Sequence, residues 1–62
     1  MFTLAFETDN SAFDGPDFWR ECERVLRAIA DDISGHAEAG TIRDANGNRI
    51  GIWSAGRPHA GE

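Results

Sequence analysis

Thr41-Ile42-Arg43-Asp44-Ala45-Asn46-Gly47-Asn48-Arg49-Ile50-Gly51-Ile52-Trp53 is the stretch that decides the fold. Two runs carrying β-branched and aromatic residues flank Asn46-Gly47, a strong short-range signal for a β-hairpin. The face pattern selects the register. A two-residue turn sets Arg43 against Ile50 and leaves Ile42 on the face opposite Ile50 and Ile52. A three-residue turn over Ala45, Asn46 and Gly47 sets Ile42 against Ile50 and gathers Ile42, Ile50 and Ile52 on one face. The reading is therefore a type I turn with Gly47 left-handed at a bulge and Asp44 hydrogen-bonding back into the turn. In this register Thr41, Arg43, Arg49, Gly51 and Trp53 share the other face, which takes Trp53 off the core.

Upstream, Phe2-Thr3-Leu4-Ala5-Phe6-Glu7-Thr8 alternates, with Phe2, Leu4 and Phe6 on one face, the period of a half-buried strand. Residues 9–15 are rich in turn formers and read as a loop anchored by Phe13. Pro16 suits a first helical turn capped by Asp14 or Gly15. From there Phe18, Cys22, Val25, Leu26, Ile29 and Ile33 recur as one helical stripe, which predicts an amphipathic helix over 16–34, stopped by a left-handed Gly35. Trp19 lies at the stripe's margin and is expected to be a boundary core residue, with part of a second contact as the alternative. Arg20, Glu23, Arg24, Arg27 and Asp31 lie opposite, with Glu23 and Arg27 in the favourable i,i+4 order.

Strand, helix and hairpin together predict an α+β fold: a two-layer β-α-β-β unit with one amphipathic helix on a three-stranded, mostly antiparallel sheet. The apolar character of the third strand places it in the centre, in the order one-three-two. A chain of 62 residues holds one such domain, assigned to 1–54, with 55–62 as a disordered tail. One domain of this size is marginal alone, so pairing of two copies through the open sheet face and Trp53 is expected.

Composition narrows the function. No apolar run approaches the ~18 residues of a membrane span, and the first residues lack the pattern of a signal peptide, so a cytoplasmic location in a bacterial cell is expected. The net charge is -5, with 11 acids against six arginines. It is unevenly spread: residues 1–19 carry Glu7, Asp9, Asp14 and Asp17 without a base, whereas Arg43, Arg49 and Arg57 turn the last third positive. An acidic surface repels phosphate backbones and suits a protein partner with a basic surface. Trp53 with Arg43 and Arg49 on a sheet face otherwise invites comparison with base-stacking platforms, but one aromatic beside Glu7 makes direct nucleic-acid binding the weaker reading.

Chemistry-bearing motifs are scarce. Cys22, the single cysteine, falls on the helix stripe and reads as a small core residue. His36 follows the helix stop and His59 lies in the tail, neither with an orienting carboxylate. Asp44-Ala45-Asn46-Gly47-Asn48 begins like a calcium loop, yet the sixth and twelfth places hold Arg49 and Ala55 in place of glycine and glutamate. No metal, cofactor or enzymatic activity is expected. The residues singled out for protein binding are Asp9, Asp14, Asp17, Glu21, Arg43, Arg49 and Trp53.

The combination of Glu7-Thr8-Asp9-Asn10 closing the first strand, the amphipathic helix, and Gly40 to Trp53 as a hairpin resembles small phage- and prophage-encoded proteins. Some acidic β-α-β-β proteins of this kind are anti-CRISPR inhibitors, which bind subunits of a CRISPR effector complex and block its access to DNA. The resemblance implies that role here, with the acids of the first loop and the helix exterior offered to a basic surface. A phage regulatory factor using Arg43, Arg49 and Trp53, or an oligomeric component of a phage particle, stands as the alternative.

Overall fold

The computed structural model describes residues 1–57. Three strands, β1 (Thr3–Phe6), β2 (Ala39–Arg43) and β3 (Arg49–Ser54), form one sheet in the order β1-β3-β2, β3 running antiparallel to both neighbours. A single helix, α1 (Asp17–Ser34), follows a short 3-10 turn at Ser11–Phe13. This is the expected α+β architecture, with the predicted strand order.

The hairpin turn forms as its residues dictate. The Gly47 N–H donates to the Asp44 carbonyl at 3.0 Å, the Asp44 N–H donates to the Asn48 carbonyl at 2.9 Å, and Gly47 takes φ 85°. Arg43 pairs with Arg49, as the three-residue turn requires. One step further the register departs from expectation: Ile42 pairs with Gly51, not Ile50, because a second bulge falls at this point. Ile50 and Gly51 together oppose Ile42, and every later residue of β3 changes face. Trp53 is consequently in the core at 1% exposure, and Ile52 stands outside at 57%. The sheet-face position expected for Trp53 is thereby corrected. The bulge keeps Ile42 and Ile50 buried together and lets the largest apolar side chain join them, a better burial of apolar surface than the unbulged strand permits.

The core comprises Phe13, Val25, Ile29, Ile42, Ile50 and Trp53, with Leu4, Phe6, Phe18 and Cys22 packed against it. Phe13 pins the β1–α1 connection, its ring 6.0 Å from Phe6 and 6.3 Å from Phe18. Within α1 the buried line is Glu21, Val25 and Ile29, so the helix is rolled away from the expected centre of its stripe. Leu26 and Ile33 are 48% and 42% exposed, and Trp19 is fully outside at 78%. The boundary role expected of Trp19 is not realised.

Both helix ends differ in detail from the sequence reading. No side chain caps the start; the Asp14 and Gly15 carbonyls instead accept the N–H groups of Asp17 and Phe18, each at 3.2 Å. At the far end Gly35 has φ -85°, and the left-handed residue is His36 at φ 67°. His36 donates to the Ile33 carbonyl at 2.9 Å and Ala37 to the Asp32 carbonyl at 3.1 Å, the pair of bonds that closes a helix through a left-handed residue. A non-glycine residue is strained there. His36→Gly is expected to raise stability by about 0.5 to 1 kcal/mol, read as a higher midpoint in urea unfolding, strain relief outweighing the added freedom of the unfolded chain.

Residues 55–57, the first of those assigned to a disordered tail, make contacts with the domain. Ala55 donates to the Glu38 carbonyl at 2.8 Å, and the Arg57 guanidinium holds the Glu38 carboxylate at 2.6 to 3.0 Å. The Met1 amine reaches the Gly56 carbonyl at 3.1 Å. The rest of that expectation, and His59, lie outside the described residues.

Candidate protein-binding surface

The acidic segment predicted for recognition is built on the β1–α1 connection. The Asn10 side chain accepts the Ala12 N–H at 3.1 Å and starts the 3-10 turn, and buried Phe13 fixes that turn to the core. Glu7, Asp9, Asp14 and Asp17 project around this anchored loop, all four exposed. Arg20 approaches Asp17 only at 3.9 Å, both largely in solvent, where such a pair contributes little. Asp17 shares an open groove with Ser11, Arg20 and Asn46 of the hairpin tip. The loop is thus an acidic surface anchored at Phe13, on which Glu7, Asp9 and Asp14 have no ion-pair partner among the described residues.

Glu21 does not belong to that surface. It is 6% exposed and its carboxylate is consumed internally: Arg24 grips both oxygens at 2.8 and 2.9 Å, and the Ala45 N–H donates to Oε2 at 2.7 Å. Arg24 also donates to the Arg43 carbonyl at 3.0 Å. Helix and hairpin tip are therefore fastened by one Glu-Arg clamp, a structural role in place of the expected binding one. Its trace in the sequence is the four-residue spacing Glu21, Val25, Ile29, which puts a carboxylate in line with the buried stripe and one turn from Arg24.

Asp44 is the second buried carboxylate, at 4% exposure. It accepts the N–H groups of Asn46 and Asn48 at 2.9 and 2.8 Å and the Asn48 side-chain amide at 3.2 Å. These are turn bonds, which account for the residues that looked like the start of a calcium loop.

The Arg24 hydrogen bond holds the Glu21 carboxyl below its ordinary value of 4.5, against the opposing effect of burial. Burial pushes the Asp44 carboxyl up, but the Asn48 backbone and side-chain donors and the Asn46 N–H outweigh it and leave it lowered. With both groups lowered in the folded state, the unfolded chain binds more protons as pH falls through the carboxylate range. Stability contributed by the pair is complete above that range and is lost on acidification. Thermal unfolding between neutral pH and pH ~3 is expected to show this fall, and Glu21→Gln to flatten it while costing about 1 to 2 kcal/mol at neutral pH, Arg24 being half exposed.

On the open sheet face Arg43 and Arg49 oppose each other across β2 and β3. Arg43 also donates to the Gly47 carbonyl at 3.0 Å. Trp53 is absent from this face, so the stacking platform and the sheet-to-sheet contact read from the sequence lose their aromatic centre; Ile52 and Ala5 occupy its middle instead.

The alternative reading of Trp19, part of a second contact, meets a surface whose extent the sequence does not show. Trp19, Cys22, Leu26 and Ala30 line an open apolar groove along α1, edged by the Glu23–Arg27 ion pair at 2.8 Å. The stripe is legible in the sequence; that the core uses only one side of it is not.

No group of three or more potential metal-ligating side chains occurs among the described residues. No helix among them is long and apolar enough to cross a membrane. These features define a small two-layer α+β protein with an acidic loop at one end of its helix. Compared with family models, curated proteins and solved structures, the chain matches none.

Proposed function

We propose that this chain is a small acidic protein-binding inhibitor that acts without catalysis, and that its target is a CRISPR effector subunit with a basic, DNA-gripping surface. The observation that carries the reading is the anchored loop of residues 7–17, where Glu7, Asp9, Asp14 and Asp17 are exposed around buried Phe13. Carboxylates on a loop anchored to the core can occupy cationic positions that otherwise hold phosphates, and the net charge of -5 steers the chain toward such a surface. The choice of a CRISPR effector rests on the resemblance to small phage proteins; the preference for a basic partner rests on the loop.

Tagged protein incubated with lysates containing CRISPR effector complexes is expected to retain an effector and to abolish its binding of target DNA. The triple variant Asp9→Asn, Asp14→Asn, Asp17→Asn should fold normally and associate roughly ten- to a hundredfold more slowly, with a weaker salt dependence. Capture that is indifferent to these three charges removes the loop as the recognition element. Capture of a different basic protein, sensitive to them, keeps the loop and replaces the target.

A further inference from the structure

The groove on α1 has a symmetry that selects its occupant. Trp19, Cys22, Leu26, Ala30 and Ile33 follow one another at steps of three, four, four and three, alternating large and small about Leu26. Trp19, Leu26 and Ile33 are exposed, and no element among the described residues covers the groove that Trp19, Cys22, Leu26 and Ala30 line. We propose that this face pairs with the same face of a second copy, the two helices antiparallel about a two-fold axis beside Leu26.

In that arrangement Leu26 meets its own equivalent, Trp19 meets the second copy's Ile33, and Cys22 meets the second copy's Ala30. Small residues then lie opposite small ones, which lets the helices approach, and large ones close the two ends. The charged edge agrees. Along one border of the stripe run Arg20, Glu23, Arg27 and Asp31, all exposed and alternating in sign. Reversal of the second helix turns plus-minus-plus-minus into its complement, placing Glu23 near the second copy's Arg27 and Arg20 toward its Asp31. Parallel pairing about a two-fold axis would carry the two charged borders to opposite sides of the contact, so that neither met its complement. Apolar spacing and charge order thus call independently for one register, and isologous contact is the usual form of a two-fold interface. A contact of one helix falls toward the small end of stable interfaces, below ~1,200 Å² in total, so the dimer is a reversible one. It differs from the sheet-face pairing expected from the sequence, leaves the acidic loop of each copy free at opposite ends, and does not depend on the proposed target.

Sedimentation equilibrium of the purified chain at sub-millimolar concentration tests it. The native chain is expected to approach twice the monomer mass. Leu26→Glu should be monomeric. Arg27→Glu and Glu23→Arg, each placing like charges across the axis, should associate at least tenfold more weakly alone, and an equimolar mixture of the two should recover native association. All three sites are exposed, so circular dichroism should report an unchanged fold. A native chain that stays monomeric overturns the proposal, as does a mixture that associates no better than its components; either result hands the groove to a different partner.

Discussion

Gly51→Ala is expected to be unfolded at 25 °C. Gly51 sits in the central strand at the bulge, paired with Phe6 on one side and Ile42 on the other. A Cβ on Gly51 would overlap the Ala5 carbonyl oxygen and lie 2.7 Å from the Phe6 Cα. Both obstacles are backbone atoms of β1, so no rotamer change relieves them; β1 must leave the sheet or β3 must lose its bulge. The first withdraws Leu4 and Phe6 from the core, and the second withdraws Trp53. A strain of this kind belongs with the exceptional single substitutions above about 4 kcal/mol, in a domain whose whole stability is on the order of 3 to 5 kcal/mol. Amide dispersion and far-ultraviolet circular dichroism should both report loss of structure. Gly35→Ala is the control: Gly35 has φ -85° and its added Cβ would meet only ordinary contacts, the nearest at 3.5 Å, so its melting temperature should change little. A folded Gly51→Ala chain with a near-native transition would place the bulge elsewhere.

The same bulge marks the limit of what the sequence reveals. Turn chemistry is local, so Asp44, Asn46 and Gly47 specify the hairpin and its first pair without help from the rest of the chain. Alternation in β1 and the stripe in α1 likewise determine which faces seek burial. The departure at Ile50–Gly51 has no local signal beyond a glycine in an apolar strand, because it arises from competition between two patterns: Ile42, Ile50 and Ile52 on one face, or Ile42, Ile50 and Trp53. The second buries the larger side chain and needs a residue without Cβ where β1 approaches. Gly51 supplies that, and Gly40 clears space beside the indole. Unbroken alternation puts Trp53 on the surface with Arg43 and Arg49, and the bulge takes it away. The burial of Glu21 likewise depends on the hairpin, distant in sequence. A carboxylate is normally kept in solvent, and its burial is made tolerable by Arg24 one turn along together with the N–H of the hairpin tip. Asp9, Asp14 and Asp17 stand in the open, where a turn-rich loop and an exposed first helical turn keep them.

Trp53→Ala is expected to cost about 3 to 5 kcal/mol, enough to leave most of the chain unfolded. The indole is 1% exposed, stacks on Phe2 at 5.7 Å with 17° between the rings, and pairs along the sheet with Leu4 and Gly40. Its Nε1–H has no acceptor among the described residues, and a Cβ on Gly40 would stand 2.5 Å from that nitrogen. Two effects therefore oppose each other in Trp53→Phe: apolar volume is lost, but an unsatisfied buried donor is removed with it. Phenylalanine should thus cost far less than alanine, about 1 kcal/mol, whereas on an open sheet face neither change would matter to stability. Fluorescence separates the two tryptophans. In Trp19→Phe the remaining Trp53 emission should be blue-shifted and resistant to iodide, shifting to the red only on unfolding. In Trp53→Phe the remaining Trp19, 78% exposed, should emit to the red and quench readily in dilute solution. A stable Trp53→Ala chain, or a quenchable Trp53, would return the indole to the sheet surface beside Arg43 and Arg49. It would also restore the aromatic platform that burial now denies to nucleic acid.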